Sequence, residues 1–377
     1  MRRKESSMLQ REARIILSGG GTGGHIYPAI AIANAIREIQ PSADILFVGA
    51  NGRMEMEKVP EAGYPIRGLD ISGLQRKFSW SLFSFPFKVI ASVMDALKII
   101  REFKPDAVAG MGGYASGPLL YAATMRNVPC LIQEQNSYPG ITNKLLAKRV
   151  SRICAGYDGM EKYFPAEKIT VTGTPVRGDI AHPETKRAEA LSFFQLDERK
   201  KTVFVTGGSL GARTINEGIA ENLTALIDAR IQILWQTGKN YHDQVIERFG
   251  HFESAGVKTF PFMKRMDLAY AAADIVVSRA GASSIAELCL AGKPAILIPS
   301  PNVAEDHQTK NAMALVSKNA ALMLKDIEVR TGLASQCIGL LQDDDKMQTL
   351  AKNIRMMAYP DAARIIACEI LNLVKKS

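Results

Sequence analysis

A histidine closes a glycine-rich turn near the start of the chain. Residues 19–25 read Gly-Gly-Gly-Thr-Gly-Gly-His, between an apolar run and an alanine-rich helical pattern. Clustered glycines cost conformational entropy, and they are used where another group must approach the backbone closely. N–H groups at a helix start can bind a phosphate, and the helix dipole there favours a neutral imidazole that accepts protons. We therefore expect a ligand-binding turn with His25 as a candidate general base; the alternatives are a merely tight turn and a histidine that caps the helix.

A second glycine turn, Gly-Gly-Ser-Leu-Gly at 207–211, also follows an apolar run and precedes a helical pattern. Neither turn ends in the Lys-Ser or Lys-Thr of a P-loop. The predicted second strand ends in Gly-Ala-Asn at 49–51, without the carboxylate that a dinucleotide-binding domain places near the ribose. The two turns therefore disfavour an NTPase and a redox enzyme. Their matching positions favour binding loops over turns that are only tight.

Polar groups gather after two predicted strands in the second half of the chain. The segment 278–288, Ser-Arg-Ala-Gly-Ala-Ser-Ser-Ile-Ala-Glu-Leu, opens a helix whose first N–H groups favour an anion. Glu287 in this segment either complements the helix dipole or accepts hydrogen bonds from the two hydroxyls of a ribose. His307, Gln308 and Asn311 open a later helix, at the sheet edge where α/β proteins bind ligands. These segments favour a ligand site in the second half.

Short β-rich runs alternate with helical patterns along the whole chain. This alternation is typical of parallel sheets covered by helices on both faces, and 377 residues exceed one ordinary core. We predict an α/β protein of two tandem, doubly wound, Rossmann-like domains, each with its own glycine turn. Glycine and proline interrupt the pattern of strands and helices near residue 176, which predicts domains at 12–176 and 177–358. The last helix, within 359–377, is expected to pack back on the first domain.

Composition disfavours several other classes of protein. A hydrophobic fraction of 47% and a charged fraction of 23% are typical of globular domains. The net charge of +9 suits an acidic substrate or an anionic surface, and no nucleic-acid partner is predicted because no binding signature accompanies the charge. Five widely spaced cysteines indicate reduced thiols and no zinc site. The polar start and the lack of a long apolar run predict neither a secretory signal nor a spanning helix.

Seven short motifs occur in an order that is found in one known family. In chain order they are GGGTGGH, GGYASGP, QEQN, GTPVR, GGSLGAR, SRAGASSIAEL and EDHQTKNA. Together they extend from residue 19 to residue 312, and the chain resembles the MurG glycosyltransferases over nearly its whole length, from about residue 13 to the end. Thr174 is one departure, because many members of that family have asparagine there.

The resemblance implies the GT-B architecture, with two Rossmann-like domains and a cleft between them. It implies an inverting N-acetylglucosaminyltransferase that moves GlcNAc from UDP-GlcNAc to O4 of the muramyl sugar of lipid I, forming lipid II for peptidoglycan. The implied partners are UDP-GlcNAc, lipid I, an anionic membrane surface and other cell-wall synthesis proteins. The implied location is peripheral, on the cytoplasmic face of the cell membrane. The alternative is another GT-B nucleotide-sugar enzyme, such as a UDP-GlcNAc epimerase or a UDP-sugar:lipid glycosyltransferase.

The resemblance also implies roles for particular residues. His25 is the expected general base, with Glu134 as the backup base, and Tyr114 and Ser116 are expected to contact the acceptor. The expected diphosphate contacts are Ser209, Arg177 and N–H groups of the second glycine turn, and no cofactor or metal is required. The donor-contacting positions implied by the motifs are Thr22, Gly23, Gly24, Asn136, Arg177, Ser209, Met263, Ala282, Ser283, Ser284, Ile285, Ala286, Glu287 and Gln308.

The segment 74–87, Leu-Gln-Arg-Lys-Phe-Ser-Trp-Ser-Leu-Phe-Ser-Phe-Pro-Phe, combines aromatic and basic side chains. Its serines interrupt any regular period, which disfavours a role purely in the core, whereas aromatic and basic side chains together suit a bilayer interface. The expected membrane contacts are Arg76, Lys77, Phe78, Trp80 and Phe83. The apolar positions that follow at helical spacing, from Val89 to Ile100, are predicted to face the core.

Overall fold

The computed structural model describes residues 12–71, 81–176, 178–303 and 306–375, with side chains described for all of these except 81–86. The chain divides into two compact units. The first unit contains the residues up to Gln135, Pro139–Pro175 and the residues from Asp361 onwards. The second contains Asn136–Tyr138 and Val176–Pro360. The predicted boundary at 176–177 lies next to this division.

The first unit is built on a parallel sheet. Its strands are β1 (Arg14–Ser18), β2 (Asp44–Ala50), β3 (Ile66–Leu69), β4 (Ala107–Gly110), β5 (Cys130–Glu134), β6 (Arg152–Ala155) and β7 (Ile169–Val171). They lie in the order β3-β2-β1-β4-β5-β6-β7. The helices between them are α1 (Gly23–Ile39), α2 (Glu55–Glu61), α3 (Ser81–Phe103), α4 (Ser116–Met125) and α5 (Ile141–Leu146). Each strand is joined to its neighbours in a parallel register, as the alternating pattern predicts.

Both faces of this sheet are covered, which explains why its central strands are apolar throughout. In β1, Ile15 and Leu17 face a cluster built from α1 and from the last helix of the chain, Ala362–Val374. Ile16 between them faces the opposite cluster, which contains residues of α3 and α4. The last helix contributes buried Ile366, Ala367 and Ile370 to the first unit's core. It therefore completes that core after the chain has built the second unit.

The second unit repeats the plan. Its strands are β8 (Thr202–Thr206), β9 (Gln232–Gln236), β10 (Val257–Phe260), β11 (Ile275–Ser278), β12 (Ala295–Leu297) and β13 (Leu322–Met323), in the order β10-β9-β8-β11-β12-β13. Its helices are α6 (Arg187–Phe194), α7 (Arg213–Asp228), α8 (His242–Phe249), α9 (Met266–Ala272), α10 (Ala282–Ala291), α11 (His307–Val316), α12 (Val329–Leu341) and α13 (Asp344–Arg355). The helix Ala362–Val374 is then α14. Two parallel, doubly wound domains confirm the predicted fold class.

Strand order decides where ligands can bind in each unit. The chain moves outward on one side from β1 to β2 and β3, and then returns to start the other side at β4. The loops after β1 and β4 therefore diverge at the carboxyl edge, which is the topological switch point where α/β sheets bind ligands. The second sheet has the same switch between β8 and β11. Each glycine turn follows the first strand at its own switch point.

The prediction that positions 89–100 face the core is correct only in part. Ile100 is buried and Val93 packs against the core from a partly buried position, but the side chain of Ile90 is 58% exposed. The stripe that contains Ile90 therefore faces solvent. Among the described residues, no helix has the length and the apolar composition needed to cross a bilayer.

All five cysteines are free thiols, and only Cys368 is exposed. Burial raises the pKa of Cys130, Cys289 and Cys337 to about 12, because a low-dielectric environment disfavours the thiolate. These thiols are therefore protonated and unreactive at neutral pH.

Candidate functional site

The first glycine turn holds the imidazole of His25 against the backbone. Helix α1 begins at Gly23 after the extended N-cap residue Thr22. The Nδ1 atom of His25 lies 3.0 Å from the carbonyl oxygen of Gly20 and 3.4 Å from the Thr22 hydroxyl. A carbonyl oxygen can only accept, so the bond to Gly20 requires a proton on Nδ1. In the neutral ring, Nε2 is then the nitrogen that can accept a proton.

A second loop, residues 111–115 after β4, closes over this turn. The Gly20 N–H donates to the Gly112 carbonyl at 3.4 Å, and the Met111 N–H donates to the Ser18 carbonyl at 2.7 Å. A Cβ atom on Gly113 would lie 2.5 Å from the Gly20 carbonyl oxygen, and one on Gly112 would lie 2.8 Å from the His25 ring. Both glycines also have positive φ. Glycine at these two positions is therefore what allows the loops and the ring to approach.

A buried carboxylate organises the same turn, and sequence reasoning missed it. Glu55, in the first turn of α2, is 1% exposed. Its Oε2 atom accepts from the Gly21 N–H at 2.8 Å, and its Oε1 atom accepts from the Ala50 N–H at 3.0 Å. The end of β2 does lack a carboxylate of its own, but Glu55 supplies one from the following helix. The signal in the sequence is an acidic residue a few positions beyond the predicted strand.

One predicted acceptor contact lies at the surface of the turn and the other does not. Tyr114 is 46% exposed, and the Arg53 guanidinium lies 5.6 Å from the centre of its ring. Ser116 is buried, and its hydroxyl donates to the Gly112 carbonyl at 2.7 Å. The Ser116 hydroxyl therefore holds the second loop in place. The acceptor contact predicted for Ser116 stays a prediction and would have to come from its backbone, and Arg53 is an additional polar group beside Tyr114.

The backup base, Glu134, holds a turn together. It is buried at the end of β5. Its Oε2 atom accepts from the Asn143 side-chain amide at 2.7 Å and from the Gly140 N–H at 3.1 Å, at the start of α5. These bonds fix the loop that joins β5 to α5. Because Glu134 is bonded to its own loop, whereas Nε2 of His25 can accept a proton, this geometry favours His25 as the base. The choice between His25 and Glu134 stays a prediction.

The second glycine turn is fastened to the loop after β9. The Gly208 carbonyl accepts from the Gln236 side-chain amide at 2.8 Å, and the Gly208 N–H donates to the Thr206 hydroxyl at 3.1 Å. A Cβ atom on Gly211 would lie 2.1 Å from the Thr237 carbonyl oxygen. Ser209 is half-buried at the tip of this turn, just before α7. The turn is therefore rigidly placed at the carboxyl edge of the second sheet.

Helix α10 begins at the predicted small-residue turn. Its first three residues are Ala282, Ser283 and Ser284, after the extended N-cap residue Gly281. Glu287 lies in the second turn, so it does not cap the helix, and its Oε2 atom accepts from the Tyr270 hydroxyl at 3.0 Å. Ala286 beside it is partly buried. The arrangement leaves the ribose-binding interpretation of Glu287 open and disfavours the helix-dipole interpretation, because the dipole acts mainly on groups in the first turn.

Two further predicted donor residues have buried side chains. Ile285 is 3% exposed and Met263 is 2% exposed, and both belong to the same hydrophobic cluster. The Met263 N–H donates to the Gln236 side-chain oxygen at 3.1 Å. A ligand contact by either residue would therefore have to come from the backbone.

Helix α11 fixes the remaining polar residues. The Gln308 side-chain oxygen accepts from the Ser300 N–H at 2.9 Å. Asn311 is fully buried, and its amide donates to the Asn136 side-chain oxygen at 3.2 Å and to the Ala280 carbonyl at 3.3 Å. Asn136 is thus held beside α11 within the second unit.

Several predictions fall outside the described residues. Arg177, Arg76, Lys77, Phe78 and Trp80 are among these, and Phe83 is described only by its backbone in α3. Across the described parts of the chain, no group of three or more His, Cys, Asp or Glu side chains is arranged to hold a metal ion. The roles predicted for these residues, and the metal-independent mechanism, stay predictions.

Comparison with known sequences assigns both units to one enzyme class. Residues 15–155 match the glycosyltransferase family 28 N-terminal domain, and residues 202–365 match the glycosyltransferase family 28 C-terminal domain. In Parabacteroides distasonis, a UDP-N-acetylglucosamine–N-acetylmuramyl-(pentapeptide) pyrophosphoryl-undecaprenol N-acetylglucosamine transferase is 52% identical, over 97% of this chain and all of the relative. A relative of the same name in Cytophaga hutchinsonii is 54% identical, over 97% of this chain and 98% of the relative.

Solved structures agree with the sequence comparison. The crystal structure of Acinetobacter baumannii MurG superimposes with a TM-score of 0.78 and 27% identity, covering 96% of this chain and 99% of that one. Two Rossmann-like domains with these switch-point loops define a GT-B glycosyltransferase. Within that class, the chain belongs to the MurG family. A putative UDP-N-acetylglucosamine 2-epimerase from Listeria monocytogenes has a TM-score of 0.67 at 11% identity, which reflects the shared fold alone.

The close approach of the two loops in the first unit can be tested with an alanine. We expect Gly113→Ala to lower the free energy of unfolding by about 1–3 kcal/mol or more, because the new Cβ must displace the Gly20 backbone. Gly63→Ala is the matched control, since Gly63 has a similar positive φ but no atom within 4 Å of an added Cβ. Denaturant unfolding measures the free energy of unfolding of both variants. Equal losses in the two variants would mean that the positive φ, and not the contact with Gly20, causes the effect.

Proposed function

We propose that this glycosyltransferase transfers GlcNAc from UDP-GlcNAc to O4 of the muramyl sugar of lipid I, with inversion, to form lipid II. The observation that carries the proposal is the similarity, over 97% of the chain, to relatives named for that transfer. The geometry of the two switch points supports it, because each unit offers a loop suited to one substrate. The acceptor is lipid-linked, and we place the reaction at the cytoplasmic face of the cell membrane.

We assign donor recognition to the second unit. The N-terminus of α10 at residues 282–284 offers N–H groups and serine hydroxyls to an anion, and the positive end of the helix dipole favours a diphosphate there. Glu287, held by the Tyr270 hydroxyl, suits the two hydroxyls of the ribose. Gln308 and Asn136 add amide groups for the sugar and its diphosphate. Ser209 and the N–H groups of its turn stabilise the departing UDP, together with Arg177.

We assign the acid–base chemistry to His25. As the O4–C1 bond forms and the bond from C1 to the diphosphate oxygen breaks, Nε2 takes the O4 proton and the electron pair leaves with UDP. Thr22, Gly23 and Gly24 border this step as the start of α1. Tyr114 and Arg53 suit the sugar and the diphosphate of the acceptor. The charge on the leaving group is met by backbone and side-chain donors, so we propose that neither a metal nor another cofactor is required.

We further propose that the first unit contacts an anionic membrane. The described part of α3 exposes Phe87, Ile90 and Met94 by 74%, 58% and 65%, at a spacing that puts them on one helix face. Helix α4 exposes Tyr121 and Met125, and α5 exposes Ile141 and Leu145. The basic residues Lys88, Lys98, Lys144, Lys148 and Arg149 lie on or beside these helices. Apolar side chains with basic neighbours are what an anionic interface attracts.

The decisive experiment is transfer of labelled GlcNAc from UDP-GlcNAc to a lipid I analogue. The proposal expects product that depends on both substrates, with release of one UDP for each sugar transferred. Conversion of UDP-GlcNAc to its 2-epimer without an acceptor would instead indicate the epimerase alternative. Transfer to other lipid-linked sugars but not to lipid I would indicate a different UDP-sugar:lipid glycosyltransferase.

The ribose role of Glu287 predicts a loss of donor affinity. We expect Glu287→Ala to weaken UDP binding about tenfold or more, because hydrogen bonds to a charged acceptor contribute about 1.5–3 kcal/mol. Calorimetry with UDP measures the change. Glu247→Ala is the control, since this glutamate is exposed on α8 in the same unit. Unchanged UDP affinity in Glu287→Ala would remove Glu287 from the site.

The base role of His25 predicts a loss of turnover. We expect His25→Ala to lower kcat by about 10²–10⁴ while the Michaelis constant for UDP-GlcNAc changes little. Steady-state kinetics with both substrates separates the two parameters, and His182→Ala serves as an exposed histidine control. If donor affinity alone falls, His25 binds the donor and Glu134 becomes the better candidate base.

The membrane proposal predicts salt-sensitive binding to vesicles. We expect Phe87→Ser, Ile90→Ser and Met94→Ser together to reduce co-sedimentation with vesicles that contain anionic lipid, and to leave UDP binding unchanged. The control triple, Phe193→Ser, Ile327→Ser and Met356→Ser, removes the same three exposed side-chain types from the second unit. Replacing Phe78, Trp80 and Phe83 by serine, and Arg76 and Lys77 by glutamine, should also weaken binding, by about 1 kcal/mol for each basic residue. Binding that ignores salt and survives both sets of changes would place the membrane contact elsewhere.

A further inference from the structure

One peptide group connects a buried carboxylate to the imidazole of His25. The N–H of the peptide between Gly20 and Gly21 donates to Glu55 Oε2 at 2.8 Å. The carbonyl of the same peptide accepts from His25 Nδ1 at 3.0 Å. We propose that Glu55 is a positioning residue that acts through this peptide to hold His25 in the tautomer with the proton on Nδ1. The inference rests on the proposed role of His25 as the general base.

The carboxylate is well suited to polarise the peptide. Glu55 is 1% exposed, and its two oxygens accept from two different backbone N–H groups, at Gly21 and Ala50. In a low-dielectric interior, an anion polarises the peptide whose N–H donates to it, so that electron density shifts toward the carbonyl oxygen of that peptide. Successive hydrogen bonds strengthen one another in this way. The Gly20 carbonyl thereby becomes a stronger acceptor for the Nδ1 proton of His25.

The backbone is shaped to admit this side chain. A Cβ atom on Gly20 would lie 2.2 Å from a Glu55 carboxylate oxygen, and a Cβ atom on Gly49 would lie 2.5 Å from Glu55 Cγ. Any other residue at either position would therefore displace the carboxylate. Gly20, in the turn after β1, and Gly49, near the end of β2, make room for Glu55, which gives the first glycine turn a purpose besides ligand binding.

The hydrogen bond between the Gly21 N–H and Glu55 also affects how the first turn can bind an anion. Because the Gly21 N–H already donates to Glu55, an internal carboxylate occupies a position that a phosphate takes in other glycine turns. In the catalytic step, Nε2 gains the O4 proton while Nδ1 keeps its own. No proton crosses the peptide. The polarised carbonyl instead stabilises the positive ring, as a directly bonded aspartate does in a Ser-His-Asp triad.

The test is nitrogen-15 NMR of the full-length enzyme with labelled histidine. The chain has five histidines, and the signals that disappear in His25→Gln belong to His25. Two-bond proton–nitrogen spectra distinguish the two neutral tautomers. We expect the Nδ1–H form in the wild-type protein. A wild-type ring that is mainly in the Nε2–H form would overturn the proposal without any variant of Glu55.

Glu55→Gln then tests the carboxylate itself, because glutamine keeps the shape but turns one acceptor into a donor. We expect the His25 ring to lose its single tautomer and kcat to fall about 10–100-fold, with a smaller change in the Michaelis constants. Glu57→Gln, an exposed change on the same helix, should alter neither. Calorimetry with UDP, which reports on the second unit, and near-ultraviolet circular dichroism check that the variant is folded. If Glu55→Gln does not fold, Glu55→Asp provides the same comparison with a shortened carboxylate.

The two proposals fail in different ways. An Nδ1–H tautomer that persists in Glu55→Gln, or in Glu55→Asp where that variant is used, overturns the role of Glu55, whatever His25 does. A tautomer that depends on Glu55, combined with normal turnover in His25→Ala, supports the peptide link and contradicts His25 as the base. Loss of turnover in His25→Ala together with loss of the tautomer in Glu55→Gln supports both.

Discussion

The first unit depends on two backbone segments that approach each other without side chains between them. At the switch point, the turn after β1 and the loop after β4 meet where Gly113 faces the Gly20 backbone. Close backbone contact lets the two loops share hydrogen bonds, and it presses the His25 ring against Gly112. The Ser116 hydroxyl and the peptide that links Glu55 to His25 both lie at this contact.

The second unit meets the same constraint with different partners. There the glycine turn after β8 packs against the loop after β9, and Gly211 and Gly238 each approach the backbone of the other loop. The side-chain amide of Gln236 donates to the Gly208 carbonyl in the turn and accepts from the Met263 N–H. No carboxylate like Glu55 is bonded to a backbone N–H of that turn in the described contacts. Two glycine turns with similar sequences thus have different partners: the first is bonded to a carboxylate and presents a ring, and the second is bonded to Thr206 and to Gln236.

Sequence patterns were sufficient for the architecture and for part of the site. Alternating strands and helices predicted two parallel sheets because a buried parallel strand must be apolar on both faces. The strands β3, β6 and β13 were not predicted: Arg67 and Gly68 interrupt the apolar run of β3, β6 begins with Arg152, and β13 has only two residues. Glu55 was missed because its role depends on long-range contacts to Gly21 and Ala50, which no local period encodes. The burial of the Ser116 hydroxyl could not be predicted because only the packed structure reveals it, and Ile90 was misjudged because helical spacing alone cannot tell a core stripe from an exposed one.

Helix α14 belongs to the first unit but is translated after the second unit. Its residues Ile366, Ala367 and Ile370 complete a core that contains Ile15, Leu17 and Ile32, yet the chain builds the whole second sheet between them. On a ribosome, the first sheet therefore emerges with one apolar face partly uncovered while more than half of the polypeptide is still to be made. The second unit has no such gap, because all of its strands and helices lie within Val176–Pro360. The unit translated first is thus completed last, and its uncovered face is the one that a chaperone would meet during translation.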